Sequence, residues 1–475
     1  MSNDARLHTI DGCDTDPVTR EHLATYDRAR AAVSGFSVPQ LADAQHPHRK
    51  VFVAAFDGTG NDKDQTPREE WTNVALAFEQ LNQHEKRAPT GTIGTHYVKG
   101  VGTQNNEAIK TLDGSLGYDY GWRMEEMYYE FIKQAEKWIK EDPKAEISLA
   151  SIGFSRGAVT AAMFTRMVEE RGIQDPDGMK FDRDDEGRIT GMQATKPPLV
   201  PPGKVAQFVG LYDPVMTGRM AMQNLDLPPS VIGGFQITAQ HEKRDLFPAV
   251  NIIPPGLSAD GRFLNVEVAG AHSDAGGSYR LNGLSTRSFN LMADVFNGLS
   301  DKPLLQPKVV PTAPEMNRIH QSEDHKWFYS TADYRINGER TRLDRKDTER
   351  PNAALDARFP RERIDVSPQR EDANLPAFLQ PKLPGPESLM PVNKPTVEQF
   401  FNMISDAAMR GDADGMRGIS QQYAQTDTAR QWLQQGRDTN QVIAEEREQQ
   451  QVQDRLAAHE REQGNRAAAS AMVMG

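Results

Sequence analysis

The stretch Glu146–Gly157, which reads Glu-Ile-Ser-Leu-Ala-Ser-Ile-Gly-Phe-Ser-Arg-Gly, constrains the fold more than any other part of the chain. An apolar run ends in Gly153-Phe154-Ser155-Arg156-Gly157, and Ala158, Ala161, Ala162, Phe164, Met167 and Val168 follow at helical spacing. That order is strand, sharp turn, helix, with a serine on the turn. The two glycines remove the Cβ atoms that collide in so tight a turn, and the Ser155 hydroxyl is pushed clear of the backbone. The N–H of Arg156 then points from the helix N-terminus toward an oxyanion forming on a substrate carbonyl. A G-x-S-x-G pattern arises by chance about 0.15 times in a chain of this length. Its place between a β-run and an Ala-rich helix therefore carries the reading of a nucleophile elbow.

Other segments supply the rest of such a domain. Val51–Phe56 is a continuous apolar run of the buried parallel-strand type. Further strands are predicted at His96–Val101, Val205–Tyr212 and Phe263–Ala269, and helices at Pro67–Gln83, Tyr118–Ile139 (ended by Asp142-Pro143) and Leu284–Leu299. Strands alternating with helices imply an α/β fold, a mainly parallel sheet covered on both faces. We place this catalytic domain at residues 50–300. Residues 1–49 form a polar N-terminal extension with one helix at Thr19–Val33. Residues 301–395 are rich in Pro and charge and read as a wrap or linker, and 396–475 as a helical, Gln-rich segment with too few apolar residues for a core.

A serine hydrolase of this architecture carries its acid and base on loops after later strands, in the order Ser, acid, His. Asp213 follows the run ending at Tyr212. His272 follows the run ending at Ala269 and stands in Gly270-Ala271-His272-Ser273-Asp274-Ala275-Gly276-Gly277. In that geometry His272 takes the Ser155 proton and Asp213 fixes its tautomer. His241 is the runner-up base and Asp274 the runner-up acid. The loop Phe56-Asp57-Gly58-Thr59-Gly60-Asn61 ends the first strand. The N–H of Gly58 or Thr59 would make a second oxyanion donor beside Arg156, with Asp57 and Asn61 shaping the loop.

Four motifs, Phe56–Asn61, Gly153–Gly157, Gly210–Pro214 and Ala271–Gly277, occur in this order. Together they resemble a family of α/β-hydrolases, formerly of unknown function, that includes the phospholipase effectors of bacterial type VI secretion. The resemblance covers roughly residues 50–300. It implies a Ser155–Asp213–His272 triad and a phospholipid acyl ester as substrate, hence a phospholipase A type of activity. It also implies an antibacterial toxin that works on a membrane surface in the periplasm of a target bacterium, with a cognate immunity protein as partner. Pro214 stands where the family often has Thr. The C-terminal end looks like the tails that recruit antibacterial effectors to type IV machines, so this segment is expected to engage secretion machinery.

Composition narrows the classes. A net charge of −12 argues against a nucleic-acid backbone as partner. The single cysteine, Cys13, excludes an intrachain disulfide. The polar start Met1–His8 carries no apolar signal segment, and no run approaches a membrane span, so synthesis in the cytoplasm is expected. No metal or other cofactor is expected for the hydrolysis. One weak calcium signal lies in the acidic loop 175–187: Asp182, Asp184 and Glu186 with Gly187 match the front of a calcium loop, but position twelve is Gln193, and a solvated loop is the plainer reading. Leu225–Phe235 and Ile252–Leu257 are apolar and punctuated by Pro and Gly. They are candidates for the apolar rim an interfacial lipase needs, or else for buried core. A hydrolase of a soluble ester or acylated polymer, and a non-catalytic binding protein on the same fold, are the competing readings.

Overall fold

Seven strands form one sheet: β1 (Arg49–Phe56), β2 (Ile93–Val98), β3 (Glu146–Phe154), β4 (Ala206–Tyr212), β5 (Val231–Ala239), β6 (Gly256–Leu257) and β7 (Phe263–Val268). Their spatial order is β6-β7-β5-β4-β3-β1-β2, and every neighbouring pair is parallel except β6 against β7. This computed structural model describes residues 10–87, 91–100, 119–185, 187–216, 223–325, 331–344 and 352–366. The chain divides into two units, Met1–Leu383 and Pro384–Gly475. The helical segment expected at 396–475 lies outside the described residues.

The alternation of a strand explains why both faces are covered. Val51, Val53 and Ala55 of β1 join the core on one face, with α1 (Arg20–Gly35), α2 (Asn73–Arg87) and, late in the chain, the helix Gly283–Asn297. Phe52, Ala54 and Phe56 point to the other face, under α3 (Asp119–Glu141) and α4 (Arg156–Arg171). α3 buries Met127, Phe131, Ala135 and Trp138 at three- and four-residue steps. α1 opens on a reciprocal cap: Thr19 Oγ1 accepts from His22 N at 3.2 Å and His22 Nδ1 accepts from Thr19 N at 3.2 Å.

β5 decides between the two readings of Leu225–Phe235, apolar rim or buried core, in favour of the core. Leu225, Leu227, Val231, Ile232 and Phe235 are buried, as are Ile252 and Ile253; Leu257 is 53% exposed. Gly233-Gly234 looks like a turn in sequence, yet it sits mid-strand. A Cβ on Gly233 would lie 3.2 Å from the Phe208 ring, and one on Gly234 2.9 Å from Val209, so the pair is there for close packing.

The extension and the wrap are stitched to each other and to the sheet. Thr15–Pro17 pairs with Arg318–His320, Ser37–Pro39 with Arg361–Arg363, and Ala249–Asn251 with Arg342–Asp344. Tyr26 of α1 donates to Ala269 O at 2.8 Å, and Ala269 N donates to Thr25 Oγ1 at 2.8 Å, which fixes the end of β7. His320 is fully buried between two carboxylates, with Nδ1 at 2.6 Å from Asp274 and Nε2 at 3.1 Å from Asp11. Tyr279 stacks on its ring at 3.8 Å. Burial opposes the cation, but Asp274 and Asp11 outweigh it and push His320 up to about 9.

The stability that His320 contributes is complete below its ordinary value of 6.5 and is lost as pH rises through about 9. The melting temperature of the wild type should fall by a few degrees over that rise. His320→Gln should start lower and lack that component. Parallel curves for the two proteins would show that another group titrates.

Candidate active site

Ser155 holds φ 59° and ψ −128°, left-handed space that a non-glycine residue enters only under constraint. The constraint is close packing. A Cβ on Gly153 would meet Gly157 O, and a Cβ on Gly157 would meet the carbonyls of Phe56 and Asp57, so α4 can start tight against the ends of β3 and β1 only with glycine at both places. Ser155 N donates to Tyr212 O at 3.0 Å and Val215 N to Ser155 O at 3.4 Å, which ties the elbow to the end of β4. Asp213, the next residue after β4, also has positive φ, 40°. Ser155 is 4% exposed.

Asp213 is fully buried and satisfied on both oxygens. Its Oδ2 lies 2.5 Å from His272 Nδ1; its Oδ1 accepts from Ala239 N at 2.9 Å and from Arg340 Nη1 at 2.7 Å. Burial works against ionisation, but the Arg340 charge and the His272 bond outweigh it and bring Asp213 down to about 2. His272 opens a one-turn helix, His272–Gly276. Its ring lies 4.6 Å from that of Phe154, the residue before Ser155, and 5.2 Å from Phe247, edge-on. The His272 backbone N–H donates to Glu242 Oε2 at 3.3 Å. Burial holds His272 below its ordinary value, with Asp213 pulling the other way. With Asp213 ionised, the ring proton belongs on Nδ1, and the Nε2 lone pair is left for general-base work.

The Phe56–Asn61 loop distinguishes its two candidate N–H groups. Gly58 N donates to the Asp57 carboxylate at 2.7 Å and so is taken up within its own turn, which leaves Thr59 as the candidate to be weighed beside Arg156. Asp57 is buried and also accepts from Tyr97 Oη at 2.6 Å and Thr72 Oγ1 at 3.0 Å. Burial raises it to about 6, against those hydrogen bonds.

The runner-up residues have other partners. His241 Nδ1 accepts from Gly270 N at 3.0 Å and its ring meets His22 at 5.0 Å, so it braces the turn before His272. Asp274 accepts from Ala271 N at 2.9 Å and holds His320, not His272. Glu242 and Arg244, in a charged run that reads as surface, are a buried pair with contacts of 2.8 Å, and the Arg244 guanidinium lies 3.6 Å over the Phe247 ring. Arg340 lies in the charge-rich wrap and carries no sequence signal of its place. In the acidic loop, Lys180–Arg183 and Ile189–Gln193 form a hairpin, and Asp184 accepts from Arg188 N at 2.9 Å and Arg188 Nε at 2.6 Å. Of the calcium-loop match, Asp182 thus lies in a strand and Asp184 is paired, and Glu186 lies outside the described residues.

His272→Ala should lower ester turnover by on the order of 10⁶, while His241→Ala stays active. The acid limb of kcat/KM should fall below 6.5, the ordinary histidine value, since His272 is held below it. An inactive His241→Ala with an active His272→Ala, or a limb above that value, would overturn the assignment.

Residues 50–186 match the family model described as T6SS, phospholipase effector Tle1-like, catalytic domain. The matched stretch contains the Phe56–Asn61 loop and Ser155 and stops before Asp213 and His272. No curated protein matches the chain. Among solved structures, an uncharacterized protein from Pseudomonas aeruginosa is 15% identical with TM-score 0.36 and covers 84% of this chain and 62% of its own. The Tle1 effector bound to the VgrG spike from the type 6 secretion system is 19% identical with TM-score 0.30, over 51% of this chain and 52% of that one. A cutinase-like protein from Cryptococcus sp. is 12% identical with TM-score 0.21, over 54% and 97%. This chain thus spans 62% and 52% of the lengths of the first two. By that family model, the stretch holding the Phe56–Asn61 loop and the elbow is similar to the Tle1-like catalytic domain, the family that the four motifs resemble.

Proposed function

We propose that this chain is a serine esterase that hydrolyses phospholipid acyl esters, a phospholipase A type of activity. The observation that carries the reading is the 2.5 Å contact of Asp213 with His272, whose ring lies 4.6 Å from that of Phe154, the residue before the strained Ser155. Ser155 Oγ attacks the ester carbonyl as His272 Nε2 takes its proton, and Asp213 stabilises the imidazolium. The N–H groups of Arg156 and Thr59 hold the tetrahedral oxyanion. Its collapse breaks the acyl–oxygen bond, and the lysophospholipid leaves with the proton from His272. Water then attacks the acyl-Ser155 ester by the same route and releases the fatty acid. Every proton and charge in this cycle is handled by protein groups, and we propose no cofactor.

The phospholipid class rests on the Tle1-like match over residues 50–186. On the same ground we propose that the chain is an antibacterial effector that acts in the periplasm of a target cell. It would engage secretion machinery through 396–475 and be neutralised by an immunity protein. It would meet the membrane surface from the water side: no helix among the described residues is long and apolar enough to cross a bilayer. The burial of Leu225–Phe235 favours a second reading, a hydrolase of a soluble ester, because that segment supplies no apolar rim.

Pure protein incubated with phosphatidylethanolamine–phosphatidylglycerol vesicles should release lysophospholipid and free fatty acid in equal amounts by mass spectrometry, and Ser155→Ala should release neither. Turnover of a soluble chromogenic ester with intact vesicles would favour the second reading. Equal turnover by Ser155→Ala would end both.

A further inference from the structure

We propose that Arg340, carried by the wrap, is a positioning residue of the triad: it acts through Asp213 and sets the charge state in which His272 waits for substrate. The proposal rests on the serine-esterase reading above. It concerns a residue that lies 127 positions beyond the acid and outside all four motifs.

The guanidinium has three fixed contacts. Nη1 donates to Asp213 Oδ1 at 2.7 Å and to Ala239 O at 2.9 Å, and Nε donates to Phe247 O at 2.9 Å. One buried cation therefore touches the acid, the end of β5 and the residue whose ring meets His272 edge-on. The segment that carries Arg340 is anchored next to it, because Arg342–Asp344 pairs with Ala249–Asn251. Thr341 O accepts from Ala249 N at 2.9 Å.

The charges around His272 make the role specific. Three charged groups act on the ring, the anions Asp213 and Glu242 and the cation Arg244, and a second cation, Arg340, stands behind Asp213 and also acts on Glu242. With His272 neutral their sum is zero. Removing Arg340 leaves one uncompensated negative charge in a site where water does not reach Asp213, and the nearest way to neutralise it is a second proton on His272. The imidazole would then rest as imidazolium at neutral pH and could not accept the Ser155 proton. Arg340 thus keeps the base neutral by supplying the charge that His272 would otherwise take up.

A residue that only packs would behave differently when replaced. The test is an NMR titration of the His272 ring in wild type, Arg340→Met and Arg340→Lys, with kcat/KM for a soluble chromogenic ester measured across pH on the same samples. Methionine keeps the apolar stem and removes the charge; lysine keeps the charge and loses the fork. Arg340→Met should raise the His272 midpoint and the acid limb together by about one pH unit or more, so activity lost at neutral pH returns on the alkaline side. Arg340→Lys should keep the wild-type midpoint with a lower kcat. A uniform loss at every pH with the midpoint unmoved in Arg340→Met would overturn the proposal. So would a midpoint raised equally in Arg340→Lys, which also serves as the deciding variant if Arg340→Met does not fold. A shifted ring titration with no esterase activity in any sample would instead overturn the serine-esterase reading and leave the charge account standing.

Discussion

A carboxylate with no exposure to water must be satisfied from all sides or give up its charge, and Asp213 is such a group. Its partners come from three separated places: His272 after β7, Ala239 at the end of β5 and Arg340 in the wrap. Each of them must be in place before the anion is tolerable. Asp213 therefore couples the sheet, the loop carrying His272 and the late segment. An isolated 50–300 stretch would bury Asp213 without Arg340, so the wrap belongs to the same folded unit as Asp213 and His272.

Backbone strain falls in the same place. Among the described non-glycine residues, positive φ occurs at Ser155, Asp213 and Ser278. Two of the three are the expected nucleophile and acid, at the ends of the adjacent strands β3 and β4. The elbow is held by the contact of Gly157 with the end of β1 and by hydrogen bonds to Tyr212 and Val215. Strain of this kind persists only where neighbouring elements over-determine it. The loop carrying His272 is held by a second layer: His241 on Gly270, Asp274 on Ala271, and His320 pinning Asp274 to the N-terminal extension.

Much of this was legible in the chain, because the signals were local. A strand, a glycine-flanked serine and an Ala-rich helix within twenty-odd residues announce an elbow, and apolar runs ending at Tyr212 and Ala269 place Asp213 and His272 at strand ends. β5 was hidden because Gly233-Gly234 serves sheet packing while looking like a turn. Arg340 was hidden because its partner is distant in sequence and because a wrap rich in charge looks solvated. Glu242 and Arg244 sit in a run of charge that reads as surface but pairs internally. The capture of Gly58 N–H by Asp57 depends on a side-chain torsion, which no residue pattern encodes.

The central claim is that Ser155 is a nucleophile activated by His272. Covalent labelling tests it most directly. A fluorophosphonate reacts with a serine only when its proton is removed and the resulting oxyanion is held. Intact-mass analysis should show a single adduct, peptide mapping should place it on Ser155, and His272→Ala should abolish it. An adduct on another residue, or ester hydrolysis that persists in a protein that takes no label, would contradict the account.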